Sequence, residues 1–160
     1  MKILRNNFIN IFIVLLGITL VAIFGFIYYQ ANLYTPADYE TNLTADRSGI
    51  IDGVDNITQL LNSETTETDI EAEIAKLEKN NENFKTKVDQ LKTPKDHEDL
   101  KTANLEFSQS ITNYCTNARA YLGIIKDDRV IDIEKVIVNF NSSVEEINAK
   151  TKQINEKLGA

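Results

Sequence analysis

The chain has 160 residues, with 24 acidic side chains against 17 basic, a formal charge of −7 and 42% hydrophobic residues, which allows one ordinary domain plus a short appendage. That acidic balance excludes the basic stripe of a nucleic-acid binder. With no Trp, one His, one Cys and one Met (the initiator), most metal, haem and nucleophile chemistry is excluded as well.

Residues 1–7 carry Lys2 and Arg5, and the run Phe8–Tyr29 that follows has no charge and one strongly polar side chain, Asn10. At about 1.5 Å of rise per residue this run reaches roughly 33 Å, enough to cross a hydrocarbon core. The segment 8–30 is therefore expected to be a single transmembrane anchor in contact with the lipid bilayer. No Lys or Arg follows until Arg47, so residues 1–7 are expected in the cytoplasm and the chain beyond the anchor outside. Tyr28 and Tyr29 stand where an interfacial aromatic belt would lie. A cleaved signal peptide would begin in the same way, but the run is longer than a usual signal core. Tyr29 and Ala31 also stand where two small residues are wanted. Gly17 and Gly25 are spaced too widely for the close-packing Gly motif of paired membrane helices.

Residues 31–35 read as a linker to an extracytoplasmic unit over 36–160. Lys2 and Arg5 take two of the 17 basic residues, so the outer part holds 15 basic against 24 acidic side chains, a net of about −9. Such a unit stands off anionic headgroups. Cys115 is alone, so folding outside the cell rests on packing and not on a disulfide.

Four amphipathic helices are expected in this unit, over 36–62, 67–92, 94–126 and 129–158. Thr35-Pro36-Ala37-Asp38 and Thr93-Pro94-Lys95-Asp96 share one start signal: Thr as N-cap, Pro at the first helical position and an acid two residues later. Thr66 with Asp69 is a weaker version. The apolar positions recur at steps of three and four. The first seam is Leu43, Arg47, Ile50, Val54, Ile57 and Leu61; the second is Ile70, Ile74, Leu77, Asn81, Phe84, Val88 and Leu91. The third runs Leu100, Asn104, Phe107, Ile111, Tyr114, Ala118, Tyr121 and Ile125; the fourth runs Val130, Ile133, Ile137, Phe140, Val144, Ile147, Thr151, Ile154 and Leu158. Four such seams on helices of similar length, joined by short connections, predict an all-α antiparallel up-down four-helix bundle behind the anchor.

Hairpin pairing puts Ile74 opposite Ile111, Leu77 opposite Phe107, Tyr114 opposite Phe140 and Val54 opposite Ile74. The same register brings Arg47, Asn81, Asn104 and Thr151 to one level, so every helix interrupts its apolar run in a shared polar layer. A buried polar position penalises slipped pairings, which makes the layer a register device. The alternative is a ligand site, in which Arg47, with no carboxylate in its own layer, receives an anionic group between the helices. His97, in the first turn of the third helix, is expected to be interfacial or capping, and Cys115 a small core or flank residue. The acids Glu64, Glu67, Asp69, Glu71, Asp127 and Asp128 gather at the end expected to be far from the membrane. Di-iron and haem ligation both lack the His residues they need, so no cofactor and no catalytic residue is expected.

The layout resembles bacterial sensor ectodomains of the four-helix type, in architecture only. Those usually return through the membrane to a signalling part, and no second span follows the bundle here. The function expected is a non-catalytic interaction or structural module of the bacterial cell envelope, with another envelope or membrane protein as partner. A small-anion sensor using the polar layer is the alternative.

Overall fold

The computed structural model describes residues 20, 22–29, 34–63, 65–126 and 132–158, and every regular element among them is helical. The chain divides into two compact units, residues 1–35 and 36–160. In the first, residues 22–29 are helical, the Tyr34 N–H donates to the Tyr29 carbonyl at 2.9 Å, and the two rings meet edge to face at 6.3 Å. Phe24, Phe26, Ile27 and Tyr28 are each more than half exposed. Among the described residues no helix is long and apolar enough to cross a membrane. Most of the expected anchor lies outside those residues.

The second unit is a packed helical bundle of four helices: α1 (Pro36–Leu61), α2 (Glu67–Gln90), α3 (Glu98–Lys126) and α4 (Ile133–Leu158). Consecutive helices run antiparallel, as their cross-links show: Lys87 to Asp46, Lys101 to Asp89 and Lys157 to Asp99.

Local chemistry sets the helix starts. α1 begins at Pro36, whose fixed φ and missing N–H suit the first helical position. α2 begins after Thr66, whose hydroxyl oxygen accepts from the Asp69 N–H at 3.3 Å and donates to the Asp69 carboxylate at 2.6 Å. α4 begins after Asp132, whose carboxylate accepts from the Lys135 N–H at 3.3 Å. The third start signal behaves differently. Asp96 has φ 61, a left-handed conformation that Asp tolerates but that no α-helix contains, so Pro94–His97 close a separate turn through His97 N–H to the Pro94 carbonyl. α3 therefore starts at Glu98, four residues later than the Thr-Pro signal implies. α2 also stops early, at Gln90, with Leu91 turning extended ahead of Pro94.

The seams are the core. Leu43, Ile50, Val54, Ile57, Ile70, Ile74, Leu77, Phe84 and Val88 are buried on α1 and α2. The buried stripe of α3 is wider than its seam, because Ala103, Ser108, Ser110, Cys115 and Leu122 are buried beside Leu100, Phe107, Ile111, Tyr114 and Ala118. α3 is the hub: it packs against α2 and α4 and also approaches α1, whereas α4 packs along α3 with no comparable contact to α1 or α2 among the described residues. The α3–α4 register is the expected one, with Tyr114 and Phe140 at 5.5 Å and Glu106 meeting Lys150 at 2.9 Å. The α2–α3 register differs. Phe107 meets Phe84 at 5.7 Å where Leu77 was expected, and Asn81 reaches Ser108 and Thr112, so α2 sits between one and two turns, roughly 6–10 Å, from the expected pairing. One apolar layer replaces another in this shift, and Asn81 exchanges Asn104 for Ser108 and Thr112.

Two glycines interrupt α1. A Cβ at Gly49 would meet nothing within 4 Å, while one at Gly53 would lie 3.2 Å from Leu77 Cδ1. Gly49→Ala is expected to stabilise the protein by about 0.8–1 kcal/mol through helix propensity alone. Gly53→Ala should gain less, because Leu77 must yield; thermal melts of the two variants compare them.

Candidate functional site

The four residues expected in one layer separate into two groups and a bystander. Arg47 Nη1 donates to Asn104 Oδ1 at 2.9 Å, joining α1 to α3. Asn81 Nδ2 instead donates to the Ser108 carbonyl at 2.9 Å and to Thr112 Oγ1 at 3.2 Å, as the shifted α2–α3 register requires. Among the described residues Thr151 bonds only the Ile147 carbonyl of its own helix, at 2.9 Å. The structure thus brings Arg47 and Asn104 together and leaves Asn81 and Thr151 apart from them.

The carboxylate expected to be missing beside Arg47 is Glu40. Arg47 Nη2 lies 2.5 Å from Glu40 Oε2, and Asn104 Nδ2 donates to Glu40 Oε1 at 2.8 Å and to the Leu100 carbonyl at 3.0 Å. Glu40 Oε2 receives no directed hydrogen bond, so its tie to Arg47 is the electrostatic part of the knot. All three side chains are buried: Glu40 is 4% exposed, Arg47 7% and Asn104 0%. The sequence signal was available, since Glu40 continues the α1 seam one step of three before Leu43. The geometry leaves the guanidinium paired within the protein. Four surface grooves of about 200–450 Å³ run between neighbouring helices, and none of the four is lined by Glu40, Arg47 or Asn104. An anion seeking Arg47 would have to displace Glu40 from a buried ion pair.

A second brace lies further along α3. Tyr114 Oη donates to the Val54 carbonyl at 3.0 Å and lies 2.9 Å from Thr58 Oγ1, while its ring packs on Phe140 of α4. Burial pushes the phenol up to about 12. Beside it, burial and the Glu78 carboxylate push the buried Cys115 thiol up to about 12. Arg119 joins the outside of α3 to α2, contacting both oxygens of Glu78 and donating from Nε to Glu71 at 3.0 Å. Its hydrogen bonds hold the Glu78 carboxyl below the ordinary carboxylate range.

His97 precedes α3 as its capping residue: its carbonyl accepts from the Leu100 N–H at 3.0 Å, and its side chain is half-buried. Among the described residues no group of three or more His, Cys, Asp or Glu side chains is placed to hold a metal ion. Of the acids expected at the distal end, Glu67 and Asp69 are exposed and Glu71 pairs with Arg119, while Glu64, Asp127 and Asp128 lie outside the described residues.

The site feature that seam-reading missed is on α4. Its burial grows along the helix: Ile133 is 37% exposed and Ile137 39%, while Phe140, Ile147 and Ile154 are all buried. Val138, off the seam, is 54% exposed. The first turns of α4 therefore present an uncovered apolar face. Periodicity cannot reveal this, because a seam position reads the same whether or not a neighbour covers it.

Two outcomes follow. Arg47→Met strands Glu40 as a buried charge and is expected to cost about 3–5 kcal/mol of stability in denaturant titrations. Glu40→Gln combined with Arg47→Met, which removes both charges and keeps the bond to Asn104, should recover most of that loss. Separately, only a thiolate is nucleophilic, and a thiol raised to about 12 carries almost none at pH 8. Iodoacetamide should leave Cys115 unmodified in the folded protein and alkylate it after denaturation, as read by mass spectrometry.

No protein-family model matches the chain, and no curated protein or solved structure matches it either, so the functional reading rests on these residues.

Proposed function

We propose that this protein is a non-catalytic interaction module of the bacterial cell envelope. In this reading residues 8–30 anchor it in the cell membrane, residues 1–7 lie in the cytoplasm, and the unit over 36–160, an antiparallel four-helix bundle, stands outside and holds another envelope or membrane protein. The observation that carries the reading is the uncovered apolar face of α4 at Ile133, Ile137 and Val138, on a bundle whose other large apolar side chains from residue 36 onward are buried or half-buried among the described residues. Exposed apolar surface at a helix face costs solubility and is kept where a partner covers it. The exposed aromatic residues Phe24, Phe26 and Tyr28 at the carboxyl end of the anchor segment agree with lipid contact there. The buried Glu40–Arg47–Asn104 knot then serves as a structural lock and not as a ligand site.

The test is site-specific photo-crosslinking in intact cells of the source bacterium, with the photoreactive residue at Val138 or at exposed Asp52 on α1. A discrete protein adduct in the membrane fraction is expected from position 138 and not from position 52, and it should vanish in Ile137→Asp. Adducts with lipid alone, or equal adducts at both positions, would overturn the proposal.

A further inference from the structure

We infer that the uncovered face of α4 takes an amphipathic helix of a partner protein whose apolar seam is flanked by Lys or Arg; this rests on the interaction reading above and names the chemistry of the partner. Around the helix axis, Ile133, Ile137 and Val138 span roughly 140°; as far as Glu145 the charged side chains within that arc are Glu134 and Glu145, both exposed, and further along Lys152 shares the arc but pairs with Glu156 at 3.7 Å. Lys135, the basic residue of these turns, points roughly 160° away from Ile137. Among the described residues the first turns of this face thus combine apolar and acidic side chains, and the basic side chain that shares the arc, Lys152, is paired further along.

That charge pattern chooses among occupants. A second copy meeting the same face across a two-fold axis would set Glu134 and Glu145 against their own equivalents, a like-charge contact in a partly desolvated interface. Anionic lipid headgroups are repelled by the same carboxylates. A helix carrying apolar residues at steps of three and four, with Lys or Arg on its flanks, both covers Ile133 and Ile137 and neutralises Glu134 and Glu145. It also fills the side of α4 that neither α1 nor α2 occupies, so it docks as an added helix along a bundle already held together by α3.

The experiment uses the full chain in phosphatidylcholine nanodiscs, with empty nanodiscs as the lipid control. The probes are fluorescent helical peptides of about 15 residues with a Leu seam, one flanked by Lys and one by Glu. Anisotropy should show the Lys peptide binding at least tenfold more tightly than the Glu peptide. Ile137→Asp and Glu134→Lys should each weaken the Lys peptide at least tenfold. Glu82→Lys, the same charge change at an exposed site on α2, should leave its affinity within twofold. Both test residues are exposed, and circular dichroism of each variant checks that helicity is kept. Equal binding of the two peptides, no binding of either, or an equal loss in Glu82→Lys would overturn the inference. So would self-association of the wild type that Ile137→Asp abolishes. A crosslink from position 138 that persists alongside any of these failures leaves the broader proposal standing and removes only this one.

Discussion

A guanidinium withdrawn from water has to be matched where it stands, and the placement of α1 over α3 depends on how that is done for Arg47. An unpaired charge at this depth would cost several kcal/mol, more than the burial of any one apolar side chain contributes. Glu40 and Asn104 meet the requirement from two different helices, in a geometry that closes only when α1 and α3 hold one offset. Sliding α1 by a turn would carry Glu40 and Arg47 together, keep their mutual pairing and strand Asn104. The amide is therefore the element that fixes the offset, and the ion pair is what makes leaving it expensive. Tyr114 repeats the arrangement further along, bonded to α1 and packed on α4.

With α1 held in this way, α3 becomes the middle of the bundle and not one side of a square. Its buried stripe includes Ala103, Ser108, Ser110, Cys115 and Ala118, small residues that let neighbours approach on more than one face. Ser110 donates to the Phe107 carbonyl at 2.7 Å, so its hydroxyl is satisfied within its own helix and asks nothing of the packing around it. Ion pairs reach from the flanks of α3 to α2 and α4 through Arg119, Lys101, Glu106 and Asp99. These sit at partly exposed sites where each contributes little. Their value is in orientation: they mark the sides of α3 that face each neighbour.

Much of this could be read from residues in order. The helices and most of their buried positions follow from spacing, because a three-and-four repeat on a polar background admits one solution. Pro36 and Thr66 announced their helix starts correctly. Thr93-Pro94 did not, because the conformation of Asp96 decided the matter and φ is not written in the residue name. Register was legible where bulky aromatics make one pairing distinctive, as with Tyr114 and Phe140. It was illegible between α2 and α3, where successive layers are nearly interchangeable and Asn81 finds equally good partners in the Ser108 carbonyl and the Thr112 hydroxyl. The candidate layer divided for that reason. Glu40 was in plain view one step before Leu43, but a carboxylate on an apolar seam reads as the place where the seam ends, unless its cation is sought at the next heptad.

The graded burial of α4 has a mechanical side. Local opening costs little where few groups are packed and approaches the global unfolding free energy where many are. α4 is fastened at its carboxyl end by Ile147 and Ile154 in the core and by Lys157 on Asp99, and it loosens toward Ile133. A pull applied at its first turn therefore works as on a zipper opened from the top, one turn at a time. The same pull at the last turn would meet the buried Ile154 and the Lys157–Asp99 pair first. The resistance of this bundle to force depends on which end of its final helix is held.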